Sequence, residues 1–163
     1  MSAETATPAG NAAEQIYAVL IAIVGDTLLL PNLAVAEVLG ADALQRAEAA
    51  PDWFAGYVEW NGRSVPVIRF ERLKRHGAPI DPRRERIVVL NSPGRFLPSG
   101  HLAVIAQAYP HLTMLTRVAL QPLPLREDDR DELVLARARV ASQEALIPDL
   151  ERVEAEIARL QAK

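Results

Sequence analysis

The chain has 163 residues, 50% of them hydrophobic, and a formal net charge of -3. That length can bury one substantial core or two small ones sharing an interface. The charge gives no basic field for neutralising phosphates, which sets nucleic-acid binding aside. The lack of any cysteine excludes disulfide frameworks and thiolate metal sites.

Residues 1–14 are mostly Ala, Thr, Glu, Pro and Gly, with neither the basic start nor the apolar centre of a signal peptide, and they read as a flexible tail. The longest apolar run, Ile16 to Val24, is far short of the ~20 residues that span a bilayer. The expectation is therefore a cytoplasmic protein with no direct membrane insertion. The run is too continuous for a half-exposed strand, which predicts a buried strand turning at Gly25-Asp26 onto a partner at Thr27–Leu30. After Pro31, the residues Leu33, Val35, Val38 and Leu39 fit strand and helix periods about equally and are taken as strand. Ala41 to Ala50 suits a helical turn, closed by Pro51-Asp52.

The stretch from Trp53 to Phe70 is a β-hairpin. Two runs rich in aromatic and β-branched residues flank Asn61-Gly62, which tolerate the positive φ of a two-residue type I′ turn. Counting outward pairs Trp60 with Arg63, Val58 with Val65 and Gly56 with Val67, giving a core face of Gly56, Val58, Trp60, Val65 and Val67. The other face carries Tyr57, Glu59, Ser64 and Pro66, then turns apolar at Ile68 and Phe70, as in a strand that bends to close a small barrel. Pro66 lacks a donor and belongs at an edge, a bulge or a barrel corner.

Glu71 to His76 is expected as a short helical turn or loop and Gly77 to Arg84 as a connector, dividing two subdomains near residues 71–85. Strands are expected at Arg86–Leu90 and His101–Ala108, paired across the Pro/Gly loop between them, and at Thr116–Leu120. Residues 121–126 are extended, and the run Glu127 to Glu132 is a solvated charged loop. Leu133 to Val140 alternates, with Val134, Ala136, Ala138 and Val140 as the buried set and Arg137 among the others. A short strand at Ala145–Ile147 leads to a helix over 149–161, with Asp149 as N-cap. Leu150, Val153, Ile157 and Leu160 form its apolar stripe, with Arg152 and Glu156 on the outer surface. Together these elements predict a mostly β chain, a pair of small barrels with a C-terminal α-helix.

No residue pattern points to catalysis, a cofactor or a metal. The acidic run at 127–132 lacks the glycine and ligand spacing of an EF-hand loop. His101 and His111 have no carboxylate at ligand spacing. The serines sit in no nucleophile elbow, and the scattered glycines form no phosphate loop. A chain without enzymatic activity is the expectation, which leaves open a small β-barrel domain that binds a small molecule or another protein.

Two blocks of residues resemble the CheW-like coupling proteins of bacterial chemosensory arrays. Leu30, Pro31, Val35, Glu37, Val38 and Leu39 match the family's Leu-Pro followed by Val-x-Glu-Val/Ile-Leu. Gly56, Tyr57, Val58, Trp60, Gly62, Pro66, Val67 and Phe70 match its hairpin without gaps, and Leu146 to Leu150 matches its ending. The resemblance implies two SH3-like five-stranded barrels packed together. It also implies an adaptor joining chemoreceptor cytoplasmic tips to the regulatory domain of a histidine kinase. It is nearest to the divergent ChpC or PilI type of type IV pilus systems and twitching motility. Asn61 and Arg69 stand where the family usually has Arg and Asp, and Ala55 and Glu59 where it has a basic residue and Asn. By this resemblance Val35, Glu37, Tyr57, Asn61 and Arg69 are expected on or near the partner-binding face, with Arg69 exposed and tolerant of reversal to Glu.

Overall fold

The computed structural model describes residues 15–129 and 132–162; the expected tail at 1–14 lies outside them. Twelve strands form two six-stranded sheets. The first takes β1 (Gln15–Ile23), β2 (Asp26–Pro31), β9 (His111–Thr116), β10 (Leu120–Leu123), β11 (Val134–Val140) and β12 (Gln143–Pro148), in the order β10-β11-β12-β2-β1-β9. The second takes β3 (Val35–Gly40), β4 (Gln45–Arg46), β5 (Phe54–Trp60), β6 (Arg63–Ile68), β7 (Arg86–Asn91) and β8 (His101–Ala106), in the order β3-β7-β8-β6-β5-β4. Two α-helices complete it, α1 (Phe70–Lys74) and α2 (Leu150–Gln161).

Three cores explain why so many strands read as continuous apolar runs. Ala18, Leu29, Leu115, Val140 and Ala145 fill the inside of the first sheet, with Leu20, Leu120 and Ile147 packed on them. Val58, Val65, Val67, Ile87, Val89, Ala103 and Ile105 fill the inside of the second. The alternate residues Val19, Ile21, Ile23, Val88, Leu90, Leu102 and Val104 point the other way, into a third core between the sheets that also takes Val153 and Ile157 of α2. A strand between two cores buries both faces, so its period-2 pattern disappears.

The hairpin has the counted register, Trp60↔Arg63, Val58↔Val65 and Gly56↔Val67. Asn61 at φ 52 and Gly62 at φ 74 make the left-handed pair of the turn. A bulge between Phe54 and Gly56 flips Phe54 from the inner core to the core between the sheets. Gly56 sits there at φ +144, where a Cβ would lie 2.1 Å from the Gln45 carbonyl oxygen, so β4 packs on β5 only over a glycine. Pro66 lies one residue before β8 joins β6 at Val67, so its missing donor falls where that side of the strand is not yet paired.

Three expectations change. Strand membership does not divide at residues 71–85, because β7 and β8 join the hairpin's sheet while β9 to β12 join β1 and β2. The expected strand at Thr116–Leu120 is a tight turn between β9 and β10, closed by the Ala119 amide donating to the Thr116 carbonyl at 3.1 Å. With β4, the split of that strand accounts for six strands per sheet where five were expected. The loop before β11 is not wholly solvated, since the Asp129 side chain is covered where it meets Arg137, itself expected on the outer set. Helix α2 starts as expected, the Asp149 carboxylate accepting from the Arg152 amide at 3.2 Å. Glu156 pairs with Arg152 at 2.9 Å and is mostly covered rather than exposed.

Candidate partner-binding face

The five residues expected on one face fall at separate places. Val35 begins β3, half-buried against the core between the sheets, and Glu37 is exposed two residues on. Asn61 is exposed at the hairpin tip. Tyr57 lies half-buried on β5, its ring edge-on to Phe54 at 5.3 Å and its hydroxyl accepting from Gln161 of α2 at 3.3 Å. Arg69 is a correction: it is 5% exposed, and its guanidinium donates to Glu85 at 2.7 Å. Its amide donates to the Trp53 carbonyl at 2.8 Å, and its carbonyl accepts the first amides of α1. The position is buried where β6 runs straight into α1, with the equally buried Glu85 packed against it.

Beside β3 an open apolar groove of about 550 Å3 runs between the sheets. Leu30, Pro31, Leu33, Leu135, Ile147 and Leu150 line it. Leu33 is 83% exposed and Leu135 60% exposed. The Asn91 side-chain amide donates to the Leu33 carbonyl at 2.8 Å and fixes the turn that presents Leu33. Sequence reasoning missed this pair because an exposed leucine has no local signature.

Two buried charge clusters tie strands, helices and loops together. Arg137 has a fully covered side chain and donates to both Asp129 and Asp26 at 2.5 Å, while Lys74 of α1 reaches Asp129 at 2.9 Å. Burial alone pushes the Asp26 and Asp129 carboxyls up, but the Arg137 hydrogen bonds and Lys74 outweigh it and hold both below the usual carboxylate range. Glu154, fully buried in α2, accepts from the Ser92 hydroxyl and from the amides of Gly94 at 2.8 Å, Arg95 at 2.9 Å and Phe96 at 3.1 Å. Burial raises its carboxyl, and these donors more than offset that. A charge inside the apolar stripe, between Val153 and Ile157, was the available sequence signal. Glu154→Ala is expected to cost about 2–4 kcal/mol in denaturant unfolding, because several donors lose their acceptor together. Amide exchange at 94–96 should quicken with it.

Glu71 differs from both clusters. It is buried, and neither carboxyl oxygen finds a hydrogen-bond partner beyond its own backbone amide among the described residues. Burial pushes its carboxyl up to about 7, with Glu85 adding to the rise and Arg69 and Arg72 opposing it. Nearby, a cavity of about 60 Å3 brings it together with Asp26, Lys74, Arg75, Arg126 and Asp128. A folded value above the unfolded 4.5 means the folded chain holds the extra proton, so this residue's contribution falls as pH rises between them. Glu71→Gln is expected to raise the melting temperature at about pH 8 and to change little at about pH 4. Equal shifts at both would contradict the assignment.

A model of the CheW-like domain family matches residues 18–157. No curated protein matches the chain. The crystal structure of scaffolding protein TtCheW from Thermoanaerobacter tengcongensis aligns with TM-score 0.67 at 17% identity, covering 83% of this chain and 84% of that one. That likeness speaks for the fold, and the family match spans both sheets and most of α2. The chain belongs to the CheW-like domain family.

Proposed function

We propose that this chain is a non-enzymatic cytoplasmic adaptor that couples chemoreceptors to a histidine kinase, in a pathway acting on type IV pili and twitching motility. The family match over residues 18–157 carries the reading. The partner-binding face consists of the groove with Leu33 and Leu135, flanked by Val35 and Glu37 of β3. Tyr57 and Asn61 form a second contact area on the hairpin. A shallow apolar surface with an acidic rim suits the tip of a helical receptor: side chains from the partner fill the groove, and charge at its edge selects among partners. No helix among the described residues is long and apolar enough to cross a membrane, so a receptor would supply the membrane anchorage.

Affinity capture with the tagged full chain from its native lysate is expected to recover a histidine kinase or a chemoreceptor, identified by mass spectrometry. Leu135→Asp should reduce that recovery about tenfold, equivalent to ~1.4 kcal/mol, with melting unchanged because the side chain is exposed. Recovery of neither partner, with a metabolite held tightly by the purified protein, would replace this reading with small-molecule binding.

A further inference from the structure

Two six-stranded sheets leave four edge strands, and three of them carry features that discourage pairing. β4 has only two residues, β10 has four including Pro122, and β3 has a bulge between Val35 and Glu37 with Glu37 exposed. β9 has none of these. It runs six residues in unbroken register with β1, from Gln15↔Thr116 to Leu20↔His111, and contains no Asp, Glu, Lys, Arg or Pro. Among the described residues no strand pairs with its outer side. Its outward side chains are apolar, Leu112 at 59% and Met114 at 47% exposure, with Tyr17 at 55% directly opposite Met114 on β1.

We propose that β9 is a self-association edge, pairing antiparallel with β9 of a second copy about a two-fold axis through Thr113. This register sets Leu112 of each chain opposite Met114 of the other. Within one chain Tyr17 already faces Met114 and Val19 faces Leu112. Each sheet row therefore continues across the junction as Tyr17 and Met114 of one copy, then Leu112 and Val19 of the other, and the same row recurs on the other side of the axis. Cross-strand neighbours at about 5 Å bury these side chains against one another. A second copy is the occupant that the charge pattern favours: an uncharged strand meets its own duplicate without like-charge repulsion and offers a charged partner nothing to pair with. The outer amides and carbonyls gain partners at the same time, joining the two first sheets into one.

Sedimentation of the full chain across a concentration series is expected to show a monomer–dimer equilibrium. Leu112→Lys and Met114→Lys should each weaken it at least about tenfold, with melting temperatures close to the parent's. The chain has no cysteine, so single introduced thiols report position directly. Under mild oxidation Thr113→Cys should cross-link to dimer, while Val118→Cys, 95% exposed in the turn beyond β9, should not. A monomer persisting to millimolar concentration would overturn the proposal. So would a dimer indifferent to both lysines, or Thr113→Cys cross-linking no better than Val118→Cys.

Discussion

Arg69→Glu is expected to lower stability by more than about 3 kcal/mol, and to leave little folded protein at physiological temperature. In the parent the Arg69 guanidinium is the cation 2.7 Å from Glu85, and both side chains are only 6% exposed. Reversal places a new carboxylate against Glu85 with Glu71 close by, three acidic groups in a site with little water. The lost attraction matters less than the burial of uncompensated charge, which by itself costs about 3–5 kcal/mol. Pairing Arg69→Glu with Glu85→Arg restores opposite charges and should recover part of the loss, a coupling that a double-mutant cycle measures. A single variant melting within a degree of the parent would contradict the buried placement of Arg69.

Arg137→Met should cost a similar amount, about 3–5 kcal/mol, because Asp26 and Asp129 remain covered and, among the described residues, the cations left to answer them are Lys74 and the more exposed Arg126. Replacing the charges together, as Asp26→Asn, Asp129→Asn, Lys74→Met and Arg137→Met, should restore much of that stability, since the neutral set leaves no desolvated ion to compensate. The cluster also sets an acid limit. Both carboxyls titrate below their unfolded values, so their contribution is complete above the ordinary carboxylate range and is lost as pH falls through the folded values. Urea midpoints for the parent should decline on acidification, and those of the neutral quadruple variant should decline less.

The hairpin was legible because its information is local. Asn61-Gly62 specifies the turn, the turn specifies the register, and the register assigns Val58, Val65 and Val67 to one core. The N-cap at Asp149 was legible for the same reason. Arg137 and Arg69 were misplaced because alternation along a strand distinguishes its two faces but cannot tell which of them another element will cover. At Arg137 the covering elements are α1 and the 126–129 segment, the former more than fifty residues away in the chain. At β9 the apolar Val118 drew the expected strand forward into what is a turn tip. The cores explain the remaining ambiguity: where both faces of β7 and β8 are buried, composition shows a strand but not which sheet receives it. Of the proposed partner face, the β3 residues came from the family's spacing. The groove was not, because Leu33 and Leu135 lie more than a hundred residues apart and only the packing of the two sheets brings them together.

The most direct measurement is a calorimetric titration of the full chain with a chemoreceptor cytoplasmic tip and, separately, a histidine-kinase regulatory domain, both from its own organism. Adaptor function predicts saturable binding to at least one of them, weakened about tenfold by Leu135→Asp or Glu37→Lys in variants that melt as the parent does. Absence of heat and of competition with both partners, or binding indifferent to the two substitutions, would contradict it.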